Sequence, residues 1–451
     1  MTTGGAARQH DGPAGATGRL RARTRRVDGD VDLLERCGGT GLLFERAGTG
    51  LAGRGVARRV RLEEAATLLA TAEVDDEVGR PGCGPVAFGA LPFVADPGAE
   101  LVVPRVVWGR SEDGTRWVTE IEVDGPPAGP GPDAVTGDRD GEGRAATVAD
   151  AATGDGQPAA LAPAADRAGP DLSAPVGRVT IAPTVPAAEW CALVERATKA
   201  IAAAGPGGLA KVVLARELVL EADRPFPVAS VLAHLRRGYP GCFLFHVDGF
   251  LGASPELLVA RHDDVVRAQP MAGTAARGGD PITDARLGAA LLASPTYRHE
   301  HQVTIDMVYD TLLPWCSYLD YEAEPSVVAV ANVQHLATLV EGRLSRPAPS
   351  VLELVGALHP TPAVAGWPRD LATDWILANE GIDRGPYAGA VGWVDGQGNG
   401  SWAVSIRCAR VEGSVAHVHA GNGIVADSDP ATELAETQAK FQAVLGALTR
   451  L

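Results

Sequence analysis

Residues 388–425, AGAVGWVDGQGNGSWAVSIRCARVEGSVAHVHAGNGIV, alternate β-prone apolar runs with Gly- and Asn-rich turns. They read as a three-stranded antiparallel meander. The next stretch, DSDPATELAETQAKF (427–441), reads as the start of a final helix. Moving upstream, SVVAVANVQHLATLVEGRL (326–344) reads as strands and YRHEHQVTIDMVYDTLLPWCSYL (297–319) as one long helix. CFLFHVDGFLGASPELLVAR (242–261) reads as a strand pair. Before it lie a helix (VASVLAHLRRGYPG, 228–241), a strand (AKVVLARELVLEA, 210–222) and a helix that ends at Gly205 (AAEWCALVERATKAIAAAG, 187–205). Antiparallel strand runs with helices between them predict an α+β fold.

Nearer the N-terminus, GLLFERAG, PVAFGALPFV, ELVVPRVVWGR and RWVTEIEV read as short strands closed by Gly and Pro. Two segments lack the apolar content to fold. Residues 1–29 are Gly, Ala and Arg and read as a disordered basic tail; no apolar core follows the arginines, so they are not a secretory signal. Residues 126–175 are Pro, Gly, Ala and Asp and read as a disordered surface insertion within a single domain spanning 30–451.

The chain carries 56 acidic and 40 basic residues, a formal net charge of −16. That argues against nucleic acid or an anionic membrane as partner. No run of about 18 apolar residues offers a membrane span. The six cysteines are scattered, with no C-x-x-C pair, which argues against a zinc site or disulfide framework and points to a reducing cytoplasm.

Several charged residues sit at odd places. Glu433 and Glu436 lie three apart on one helix face, where like charges repel. Either water solvates them or a cation sits between them. Lys211 opens an apolar strand, Glu256 sits inside an apolar strand region after Ser-Pro, and Glu300 interrupts a helix whose apolar positions continue past it. Each alone also reads as a side chain that snorkels to water. Together they offer one base, one acid and several carboxylates. Glu300 and Glu436 suit Mg²⁺, which takes one or two protein carboxylates and fills its other positions with water or substrate oxygens. Lys211 and Glu256 suit opposed proton transfers if burial moves their pKa values toward neutrality. Arg407 could clamp a carboxylate or serve a structural salt bridge; Tyr387 could assist it or simply pack. Thr274, in PMAGTAARG, offers its hydroxyl and neighbouring backbone N–H groups to an anion.

The stretches KVVLAR, GFLGASPELL, MAGTAARGG, HEHQVTIDMV, NVQHLATLVEGRL, LHPTPAVAGWP, YAGAVGWVDGQGNGSWAVSIRCA and HAGNGIVADSDPATELAETQAKFQ resemble the chorismate-utilising enzymes, in one order over residues 30–451 apart from the insertion. They look most like the isochorismate synthases of menaquinone and catechol-siderophore pathways. The resemblance implies a chorismate-binding fold: two large, mostly antiparallel sheets packed together with helices outside. It implies Mg²⁺-dependent conversion of chorismate to isochorismate by a cytoplasmic monomer. Carried over by position, Lys211 activates water for attack at C2 and Glu256 protonates the departing C4 hydroxyl. Glu300 and Glu436 resemble the metal ligands, and Glu433 holds metal-bound water. Tyr387 and Arg407 resemble the substrate-carboxylate contacts, Thr274 and Gly421 line the site, and His335 lies near the ring.

The same resemblance separates subfamilies. Ammonia-using relatives carry a Lys where this chain has Ala272 and lack the water-activating Lys211. Salicylate synthases share Lys211 and the glutamates and add a pyruvate elimination, so they remain the alternative; a catalytically silent chorismate-binding protein is a further one. Ala365, Asn422 and Leu434 stand where family members usually have Gly, Ala and Trp, and none removes a functional group.

Overall fold

Period-two alternation decides which way each strand faces, and here both faces of one sheet are covered. In the strands Leu42–Arg46 and Phe243–Val247, Phe44 and Phe245 face one buried cluster while Leu43 and Leu244 face another. The first cluster joins Phe44, Phe245 and Trp117 to Phe88, Val259 and Trp402 of a second sheet. The second joins Leu43 and Leu244 to Leu235, Phe441 and Leu448 of the helices Val228–Gly238 and Pro430–Thr449. The result is two sheets packed face to face with helices outside, the α+β architecture expected.

This computed structural model describes residues 18–124, 177–330 and 333–450. The insertion expected at 126–175 and residues 1–17 lie outside the described residues. Among the described residues the larger compact unit holds a 13-stranded sheet, a 9-stranded sheet and a 3-stranded one, and pairing is antiparallel except between Leu20–Arg26 and Glu73–Asp76. Among the described residues no helix is long and apolar enough to cross a membrane. All six cysteines are free.

Leu20–Arg26 corrects the reading of residues 1–29 as a disordered tail. Leu20, Ala22 and Thr24 are buried while the arginines between them face out. Arg21 pairs with Glu73 and Arg23 with Asp75, so the arginine-rich composition belongs to the outer face of a strand. The meander is likewise different. It has four strands, not three: Ala390–Asp395 and Gly400–Val404 belong to the nine-stranded sheet, Cys408–Glu412 and Val415–Ile424 to the thirteen-stranded one. Alternation runs through both halves and carries no mark of which sheet a strand joins. The 242–261 segment makes the same crossing, with Phe250–Ser254 in the larger sheet and Leu257–His262 in the smaller. The expected helix over 297–319 is Pro295–Leu312 and ends in a 3-10 turn containing Pro314, after which Cys316–Tyr321 is a strand.

The strand Lys211–Ala222 lies between Val415–Ile424 and two short partners, Val179–Pro183 and Gly366–Trp367. Between those partners its backbone edge is met by side chains. Trp190 Nε1 donates to the Ala215 carbonyl at 3.0 Å. Glu380 accepts from the Ala215 amide at 2.7 Å, and Arg384 donates to the Val213 carbonyl at 2.7 Å. Glu380 and Arg384 also form a bidentate pair, 2.6 Å at each contact, with side chains only 2% and 4% exposed. This clamp sets the strand two to four residues beyond Lys211. Removing one partner of a buried pair leaves the other charge uncompensated. Arg384→Ala should therefore lower the unfolding free energy by about 3–5 kcal/mol in urea melts. Arg267→Ala, which breaks the exposed Arg267–Glu341 pair, should change it by less than about 1 kcal/mol.

Candidate active site

The ten residues singled out from the sequence all line one cavity of about 1060 Å³. They reach it from separate elements. Lys211 is the first residue of its strand, and Glu300 lies on the helix Pro295–Leu312. Thr274 and His335 are cross-strand partners in the three-stranded sheet, joined by a 3.1 Å Oγ1–Nδ1 hydrogen bond. Glu433 and Glu436 come from the last helix, which begins at an Asp429 cap with Pro430 in the first turn.

Glu256 and Arg407 do not lie within strands as expected; each sits where the chain passes between sheets. The two crossings are bonded to each other. The Ser254 hydroxyl donates to the Val404 carbonyl at 2.6 Å, and the Val404 amide donates to the Glu256 carbonyl at 3.1 Å. The Ala253 amide donates to the Arg407 carbonyl at 3.1 Å. Arg407 takes a φ of 54°, a left-handed conformation that costs an L-residue on the order of 1–3 kcal/mol. Its guanidinium is buried and makes no ion pair with a described carboxylate, so the salt-bridge reading of Arg407 does not hold.

Burial sets the protonation states. Glu256 is pushed up to about 8 by desolvation, partly opposed by the Met271 amide, Lys211 and Arg407. It is therefore a protonated carboxyl at neutral pH. Burial with the nearby Arg407 and Lys440 drives His335 down to about 3, so its imidazole is neutral. Burial also raises Tyr387, keeping it a phenol. Glu300 is lowered despite its burial because Lys211 Nζ sits 2.6 Å from Oε1. Glu433 is raised by burial and by Glu436, against hydrogen bonds from Ser428 and Asn422.

Two wall residues, Lys440 and Gly423, escaped the sequence reading. Lys440 is buried and donates to Glu436 at 2.8 Å, to the Gly421 carbonyl at 3.0 Å and to Asn422 Oδ1. Asn422 in turn donates to Glu433 Oε2 at 2.9 Å. Lys440 could have been found as the i+4 partner of Glu436. Gly423 had no such signal: a Cβ there would stand 2.4 Å from Lys211 Cε. Gly421 makes the same room for Tyr387, whose hydroxyl would lie 2.8 Å from an added Cβ.

Among the described residues no three His, Cys, Asp or Glu side chains converge as a ready metal cluster. Glu300 and Glu436 project into the cavity from two helices, each held by a lysine. A two-carboxylate donor set completed by water and substrate oxygens is one that Mg²⁺ uses.

The family model described as "Chorismate binding enzyme" matches residues 161–449. A Mycobacterium tuberculosis protein with a provisional isochorismate synthase name is 44% identical over 288 residues, covering 61% of this chain and 77% of its own length. Isochorismate synthase DhbC of Bacillus subtilis is 42% identical over 253 residues, covering 54% of this chain and 64% of its own. The solved structure of MenF, the menaquinone-specific isochorismate synthase from Escherichia coli, superposes with a TM-score of 0.73 at 25% identity, covering 96% of this chain and 95% of that one.

The protonation of Glu256 has a stability consequence. From the ordinary glutamate range up to about 8, the native state holds a proton that the unfolded chain releases. Stability therefore falls as pH rises through that window. Glu256→Gln removes the titration, so the variant should gain on the wild type by on the order of a few kcal/mol between about pH 5 and about pH 9 in urea unfolding. Parallel curves would show that Glu256 is not the titrating group.

Proposed function

Since the chain belongs to the family of chorismate-binding enzymes, we propose that it is an isochorismate synthase acting in menaquinone or catechol-siderophore biosynthesis. The observation that carries this reading is the presence, in one cavity, of an amine and a carboxyl held protonated by burial: Lys211 and Glu256. Exchange of a hydroxyl between two allylic positions needs both at once. A base takes a proton from water as its oxygen attacks C2, and an acid gives a proton to the hydroxyl leaving C4. One water enters and one leaves, so the product is an isomer. Lys211 fits the base. To accept a proton it must be neutral and released from Glu300. Glu256 fits the acid, because its carboxyl is already protonated at neutral pH.

Chorismate is a dianion at neutral pH, and the chain as a whole would repel it. Arg407 supports one carboxylate contact: it is a buried guanidinium with no carboxylate partner among the described residues, beside the Tyr387 phenol. Mg²⁺ held by Glu300 and Glu436, with Glu433 near it, would supply neutralisation and orientation of the other carboxylate. Thr274, His335 and Gly421 shape the wall between.

Incubation with chorismate and Mg²⁺ followed by chromatography should give isochorismate in a mixture with chorismate, because exchanging one allylic hydroxyl for another changes little bonding energy. EDTA should abolish turnover and Mg²⁺ restore it. Lys211→Ala should lower kcat by about 10²–10⁴-fold. Stoichiometric salicylate and pyruvate would instead make the protein a salicylate synthase. Full activity in a chelated sample would remove the metal from the mechanism.

A further inference from the structure

Along the strand Val415–Ile424, His417, His419, Gly421 and Gly423 share one face. Gly423 accommodates Lys211, and Gly421 accommodates the Tyr387 hydroxyl. His419, the next residue on that face, meets the ring of the same tyrosine. The imidazole and phenol are stacked, with centroids 5.0 Å apart and planes 16° from parallel. His419 thus lies face to face with the ring whose hydroxyl stands over Gly421.

We propose that His419 is a positioning residue: by stacking on Tyr387 it holds the phenol hydroxyl in place over Gly421. Tyr387 needs such support because it lies in a turn, followed by Ala388 at a φ of 61°, with no strand or helix to fix its rotamer. The remaining neighbours leave His419 free for this task. Glu217 lies 3.7 Å from Nε2, beyond hydrogen-bond reach, and its oxygens are engaged by His417 at 2.8 Å and by Thr184 at 2.6 Å. Among the described residues His419 Nε2 has no hydrogen-bond partner. The imidazole therefore acts through its face, without a proton relay through Glu217.

The chain has six tyrosines, so ring-¹³C tyrosine labelling gives few signals, and loss of one in Tyr387→Phe identifies Tyr387. In the wild type the Tyr387 ring should flip slowly; in His419→Ala the flipping should speed up and its signals average; in His419→Phe, which keeps an aromatic face, they should return toward wild type. In parallel, KM for chorismate should rise about three- to tenfold in His419→Ala, the larger part of the change lying in KM rather than kcat. The same substitution should add nothing in a Tyr387→Phe background. Unchanged Tyr387 signals in His419→Ala would overturn the proposal. So would a KM increase that persists without the Tyr387 hydroxyl, which marks general loosening of the fold. The kinetic arm rests on the chorismate reading and the spectroscopic arm does not. A wild type that ignores chorismate would thus refute that reading while the ring dynamics still decide the role of His419.

Discussion

At Ser254–Leu257 and Val404–Cys408 two neighbouring strands leave one sheet and enter the other together. They pair before the crossing, Phe250–Gly252 against Cys408–Arg410, and again after it, Leu257–Arg261 against Gly400–Ala403. A strand that changes sheets must break its ladder, and broken ladders leave buried backbone groups that need partners. Here the strands supply them to each other, through the Ser254 hydroxyl and the Val404 and Ala253 amides. The break also frees two side chains from strict alternation. Glu256 and Arg407 occupy the released positions, and both face the cavity. Glu256 and Arg407 therefore owe their places to one feature of the backbone.

The same logic of displaced regularity recurs across the cavity. Lys211 stands at the very start of its strand, where the edge is clamped by the buried Glu380–Arg384 pair. Tyr387 stands in a turn, and Gly421 and Gly423 lack the side chains that would exclude Tyr387 and Lys211. Lys211, Glu256, Tyr387 and Arg407 thus stand at the ends of elements or between them, whereas Glu300 and Glu436 project from within helices.

Electrostatically, a chain of net charge −16 concentrates cations inside one cavity. Lys211 is matched to Glu300 and Lys440 to Glu436, while Arg407 has no described carboxylate partner. Burial separates the carboxyls by role: Glu256 is raised and protonated, whereas Glu300 is lowered by its lysine. Two glutamates with opposite shifts thus sit in one cavity, one a protonated carboxyl and the other an ionised carboxylate.

The sequence by itself determined the α+β class, most of the strands and ten of the residues that line the cavity, because alternation, turn chemistry and ordered motifs are local properties of the chain. It misread Leu20–Arg26, since composition hid the outward alternation of its arginines, and it merged four strands into a meander of three. It also placed Arg407 and Glu256 within strands, where the structure has sheet crossings. Only the tertiary structure decided which sheet each strand joins, since period-two patterning is the same in both. It alone brought Lys211, Glu256 and Arg407 into one cavity from positions 45 to 196 residues apart. Their protonation states followed from that assembly, because desolvation and neighbouring charge act through space and leave no trace in the local sequence.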